Sequence, residues 1–132
     1  CPVTIAGAEH EYTRWGCKML MDMEALDVYQ VDPVWAGGIS EMNKICTLVS
    51  AYNVQIIPHG GSVPVNAQIS FAQNPIVVPM MEYLGIRNEI EQFFLKNPLK
   101  PVNGFIVPPT APGVGLDLDE SKIESERDIS WK

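Results

Sequence analysis

Residues 27–59, DVYQVDPVWAGGISEMNKICTLVSAYNVQIIPH, hold the pattern that decides the fold. They open on a β-branched and aromatic run, Val28 to Val31, that stops at Asp32-Pro33. They close on a second such run, Val54-Gln55-Ile56-Ile57, that stops at Pro58. Proline has no N–H to give a strand ladder, so each marks a strand end. Between the runs, Gly37-Gly38 turns the chain. Met42, Ile45, Cys46, Val49 and Tyr52 then fall at the spacing of one helix face. Ser40 is the expected N-cap, and Glu41 stands in the first turn, where the helix dipole favours a carboxylate. Asn53 is the expected left-handed stop. Strand, helix and strand at this spacing make a parallel βαβ unit.

The same alternation extends outward. Val3-Thr4-Ile5-Ala6 reads as a short buried strand closed by Gly7. Thr13 is positioned to cap a helix from about residue 14 to 23, with Trp15, Met19 and Met23 as its apolar stripe. Residues 64–71 suggest a short helix, and residues 76–81 a fourth strand made irregular by Pro79. Repeated strand–helix alternation is the signature of an α/β fold with a parallel sheet. After Glu82 the composition changes. Residues 88–95 have a helical pattern, whereas residues 96–115 carry Pro98, Pro101, Pro108, Pro109 and Pro112 and must pack as irregular chain. Residues 117–127 form an acidic, exposed end with some helical character. The expected division is 1–84 for the strand–helix part and 85–132 for a tail.

Composition narrows the function. The chain has 132 residues, 46% hydrophobic and 19% charged, which suits one folded domain. Nine basic against sixteen acidic residues leave a net charge of −7, so no nucleic-acid partner is expected. No apolar run is long enough for a transmembrane helix, and no membrane partner is expected. Cys1, Cys17 and Cys46 are odd in number and form no CxxC pair, which points to a reducing, cytoplasmic setting. Strand-like residues follow Cys1 at once, so the expectation is that the chain is a piece of something longer.

Polar groups stand where the strands end. Glu9 follows the first strand, Asp32 ends the second and His59 follows the third, about one βα repeat apart. Glu82 ends the fourth after a similar interval. In a parallel β/α array such positions share one rim, the C-terminal edge of the sheet, where catalytic groups of β/α barrels collect. Each residue alone also has a structural explanation. Asp32 before Pro33 suits a turn, His59 before Gly60-Gly61 suits a loop, and Glu9 suits a solvated charge. As a set they suit removal of a proton next to a carboxylate. A histidine beside an aspartate is fixed in one tautomer and works as a base, and a nearby glutamate can ligate a hard cation such as Mg²⁺.

Three runs carry a resemblance to a known family. Gly7-Ala8-Glu9-His10-Glu11-Tyr12-Thr13-Arg14, Val31-Asp32-Pro33-Val34-Trp35-Ala36-Gly37-Gly38 and Pro58-His59-Gly60-Gly61-Ser62 resemble the enolase superfamily. The nearest likeness is to its mandelate racemase subgroup and, within that, to L-rhamnonate dehydratase-like acid-sugar dehydratases. Pro101-Val102-Asn103-Gly104 and Pro112-Gly113-Val114-Gly115-Leu116 resemble the closing segments of those proteins. The resemblance implies the C-terminal half of a (β/α)7β TIM-like barrel plus an extended tail. Residues 1–84 would be the last four strands with their helices, and residues 85–132 would pack on the barrel or on a capping domain.

It also implies Mg²⁺-assisted chemistry on a sugar acid such as L-rhamnonate, giving a 2-keto-3-deoxy product. Glu9 would be a Mg²⁺ ligand, His59 the general base, Asp32 its orienting partner, and Glu82 the carboxylate of the last strand. Two further metal ligands would lie outside this chain. It is therefore expected to be inactive alone and to associate as a homo-oligomer or with a preceding N-terminal part. A racemase, another sugar-acid dehydratase and a non-catalytic assembly fragment are the alternatives.

Overall fold

The computed structural model describes residues 2–130, so Cys1 lies outside the described residues. Three short parallel strands form the sheet: β1 (Ala6–Gly7), β2 (Val28–Tyr29) and β3 (Gln55–Ile56), in the order β1-β2-β3. Their register pairs Gly7 with Tyr29 and Tyr29 with Ile56. Parallel neighbours need crossovers, and helices supply them. Helix α1 (Thr13–Asp22) links β1 to β2, while α2 (Pro33–Ala36) and α3 (Ile39–Ala51) link β2 to β3. Helix α4 (Val63–Ala72) follows β3, then α5 (Ile86–Glu91) and a single 3₁₀ turn at Glu120–Lys122.

The βαβ unit forms as its sequence dictates. Met42, Ile45, Cys46 and Val49 are all buried and meet Tyr29, Val31 and Ile56 of the sheet in one core. Each such apolar side chain withdrawn from water stabilises the fold by about 1.5–3 kcal/mol. Asn53 has φ +55°, the left-handed stop its side chain tolerates. Gly38, rather than Ser40, is the N-cap of α3. Gly37 and Gly38 have φ of +111° and +88°, so only glycine passes without strain from α2 to α3.

Three expectations are corrected. The first strand is not buried: Val3 and Ile5 are exposed because β1 is an edge of the sheet. On α1 the stripe Trp15, Met19 and Met23 faces outward, and the helix docks through Cys17 and Met21 instead. Residues 76–81 are not a regular strand. Pro75 and Pro79 remove two donors, and the backbone contacts of this run to the β3 region are Ile56 N–H to the Val77 carbonyl and Glu82 N–H to the Pro58 carbonyl.

The tail is irregular, as its prolines require. Helix α5 starts at Ile86, two residues before the expected point, and the acidic end holds only the 3₁₀ turn. The tail is tied back by Lys96 N–H to the Asp117 carbonyl, Asp119 N–H to the Phe94 carbonyl and Lys122 Nζ to the Phe93 carbonyl. No helix among the described residues is long and apolar enough to cross a membrane.

Candidate active site

Register brings the strand-end residues together. Asp32 is three residues past Tyr29 and His59 three past Ile56, so the two side chains emerge side by side beyond paired positions. His59 N–H donates to the Val31 carbonyl at 3.1 Å, which extends the ladder to the rim. Asp32 also N-caps α2. Its Oδ1 accepts from Val34 N–H at 2.7 Å while its Oδ2 lies 3.1 Å from His59 Nδ1. One carboxylate thus serves the turn through Oδ1 and meets the His59 ring through Oδ2. Asp32 is only 2% exposed, so the pair is sheltered from water.

With Nδ1 donating to Asp32, Nε2 is the basic nitrogen of His59. It faces the other two candidates, 3.4 Å from Glu9 Oε1 and 3.5 Å from Glu82 Oε2. All four residues named from the sequence therefore meet at one imidazole. Glu9 follows a left-handed turn at Ala8, φ +81°, that swings the chain off β1 toward the rim. His10 Nε2 is 3.4 Å from Glu9 Oε1 and its ring lies 4.9 Å from that of Trp35. Glu82 is held by Gly60 N–H, which donates to Oε2 at 3.0 Å. The negative charge of this rim extends to Arg87. Its guanidinium is held above its usual pKa mainly by its bond to Glu91, with smaller help from Glu9 and Asp32.

The loop that carries His59 admits no side chain at its second glycine. A Cβ on Gly61 would lie 1.9 Å from Asp32 Oδ2. Buried amides fix the same loop from both sides: Asn66 Nδ2 donates to the His59 carbonyl, and Asn88 Nδ2 to the Gly60 carbonyl. Neither asparagine follows from strand-end placement. For Asn66 the available signal was an amide set within the apolar run 63–67 of α4, since a buried polar group must find partners.

The donors do not by themselves fit a divalent cation. Mg²⁺ takes about six oxygens in octahedral geometry. Asp32 is engaged by Val34 and His59, Glu82 by Gly60, and Glu9 Oε1 faces His10 and His59, each at 3.4 Å. Among the described residues, no group of three His, Cys, Asp or Glu side chains is arranged to hold a metal ion.

A parallel β/α sheet with a buried Asp–His pair and glutamates on its C-terminal rim defines a class, and the comparisons agree with it. Residues 1–122 match the family described as "Enolase C-terminal domain-like", and the chain belongs to it. Its fold is accordingly part of a (β/α)7β barrel. Two similar curated relatives are the D-galactarolactone cycloisomerase of Agrobacterium fabrum and the arabinonate dehydratase of Saccharolobus solfataricus. The first is 33% identical over 96% of this chain and 36% of its own length. The second is 34% identical over 92% of this chain and 33% of its own.

Among solved structures, the L-rhamnonate dehydratase of Gibberella zeae is 30% identical, with TM-score 0.55 over 62% of this chain and 20% of that one. A mandelate racemase/muconate lactonizing enzyme from a marine actinobacterium, in complex with magnesium, is 25% identical, with TM-score 0.76 over 90% of this chain and 33% of that one. The chain thus spans about a third of the length of the curated relatives it matches.

Proposed function

We propose that this chain is the C-terminal barrel part of a sugar-acid dehydratase. The observation that supports this reading best is the Asp32–His59 pair, with the His59 Nε2 lying between the carboxylates of Glu9 and Glu82. Nε2 takes the proton on the carbon next to the substrate carboxylate, and Asp32 holds the resulting imidazolium in place. Base catalysis of this kind contributes about 10²–10⁴-fold. Returned to the 3-hydroxyl, the same proton lets that oxygen leave as water. The enol left behind becomes a 2-keto-3-deoxy acid by taking up a proton at C3 from solvent and releasing its enol O–H proton. Glu82, within reach of Nε2, shares in steering the imidazole.

The superfamily's Mg²⁺ enters this proposal through Glu9 as one ligand, with the remaining oxygens supplied by another polypeptide segment. The chain alone is then inactive and works after associating with that segment. The test is to incubate the purified chain with Mg²⁺ and a panel of sugar acids, with and without the N-terminal part of a relative. The 2-keto-3-deoxy product is then assayed in wild type and in His59→Ala.

A second reading, sugar-acid cycloisomerisation, is favoured by the galactarolactone cycloisomerase likeness. It opens with the same proton abstraction. A product that keeps all its oxygens, rather than one that has lost water, separates the two.

A further inference from the structure

Two segments that share no secondary structure carry His59 and Glu82, yet their carboxylate and imidazole meet at 3.5 Å. Regular strand pairing does not hold them there, because the Pro75- and Pro79-bearing run is irregular. The link is a ring of hydrogen bonds around Gly60. Glu82 N–H donates to the Pro58 carbonyl at 3.3 Å, and Gly60 N–H donates to Glu82 Oε2 at 3.0 Å. The Gly60 carbonyl accepts from Asn88 Nδ2, and Asn88 Oδ1 accepts from Leu84 N–H at 2.6 Å. Asn88 is fully buried, and its Nδ2 also donates to Glu91 Oε2 at 3.0 Å.

We propose that Asn88 is a positioning residue: its amide ties the His59–Gly61 loop to the Glu82–Leu84 run and so holds the Glu82 carboxylate against the imidazole of His59. The proposal rests on the reading that His59 and Glu82 share one site. An asparagine is required because one end must accept from Leu84 while the other donates to Gly60. A carboxylate keeps the first bond and loses the second, and it sets a charge against the Gly60 carbonyl and Glu91. Leucine loses both. Gly60 is the hub, and a Cβ there would lie 2.7 Å from Leu84 Cγ, so a side chain at this position requires Leu84 to move.

The test uses amide NMR of the ¹⁵N-labelled chain. In the wild type, Glu82→Gln replaces a charge-assisted bond by a neutral one and moves the Gly60 amide proton upfield. In Asn88→Asp and Asn88→Leu that proton is already upfield, and adding Glu82→Gln moves it little further. Leu84 amide exchange stays slow in Asn88→Asp and speeds up about tenfold in Asn88→Leu. If Asn88→Leu does not fold, Asn88→Asp and Asn88→Ser decide the same question. A Gly60 response to Glu82→Gln as large in the Asn88 variants as in the wild type overturns the proposal. The dehydratase reading fails separately, by absence of His59-dependent product, an outcome that leaves the amide coupling untouched.

Discussion

Gly61→Ala is the smallest change that should dismantle the site. The added Cβ would stand 1.9 Å from Asp32 Oδ2, 2.8 Å from its Cγ and 3.0 Å from its Oδ1. Ordinary contact begins near 3.4 Å, so one side must retreat by about 1.5 Å. Asp32 cannot do so cheaply, because it is buried and committed to Val34 N–H and to His59 Nδ1. Hydrogen bonds to a charged group are worth about 1.5–3 kcal/mol each, and a buried carboxylate left unpaired adds to the loss. If the loop moves instead, the Asn66 and Asn88 bonds to it break. Either route costs about 3 kcal/mol, a fall in Tm of about 10 °C for a domain of this size. Thermal unfolding measures that loss. Nitrogen NMR of the His59 ring reads the site directly, with Nδ1–H in the wild type and a mixture of tautomers in the variant. Gly60→Ala, which meets the rotatable Leu84 side chain, should cost less. A Gly61→Ala protein that melts within about 1 °C of wild type and keeps the Nδ1–H tautomer would refute the reasoning.

Other regions yield independent tests. Glu41 accepts from Arg14 N–H and from its guanidinium, and these bonds, with Lys44 nearby, hold its carboxyl below the usual pKa. Bonds from Lys18 and Tyr52 do the same for Asp22. A depressed carboxyl stabilises the fold at neutral pH and loses that contribution as pH falls through its folded value. The urea midpoint should therefore drop on acidification below the carboxylate range, and Glu41→Gln should flatten part of that slope. Burial pushes the Cys17 and Cys46 thiols up to about 11, so both should resist iodoacetamide at pH 8 in the native chain and react in urea, as read by peptide mass mapping. A raised thiol pKa also means that stability falls as pH climbs from about 9 toward 11. Trp15→Ser, on the outward face of α1, should alter the unfolding free energy of the chain by no more than about 0.5 kcal/mol.

Sequence legibility followed the number of constraints on each element. Helix α3 has one apolar face and a glycine entry, so its stripe could be read one way only: Met42, Ile45, Cys46 and Val49 are all buried, and only Tyr52, at the C-cap, is exposed. Helix α1 offers two candidate faces, and the larger side chains, Trp15, Met19 and Met23, misled because β1 beside it is the sheet edge. The rim was legible because parallel βα repeats set the spacing of Glu9, Asp32 and His59, and the structure gathers these with Glu82 around one imidazole. What could not be read was the scaffolding behind the rim. Asn66, Asn88 and Gln92 look like surface residues in sequence, and only tertiary packing shows each buried with its bonds directed at loop backbone.

The central claim is that His59 is the base of a sugar-acid site to which this chain contributes only one part. Reconstitution tests it most directly. The chain is co-expressed with the N-terminal part of the Saccharolobus solfataricus arabinonate dehydratase, supplied with Mg²⁺ and sugar acids, and assayed for 2-keto-3-deoxy product. The account predicts product from the two polypeptides together, none from either alone, and none when His59→Ala replaces the wild-type chain. Turnover by this chain alone, or full activity with His59→Ala, would contradict it.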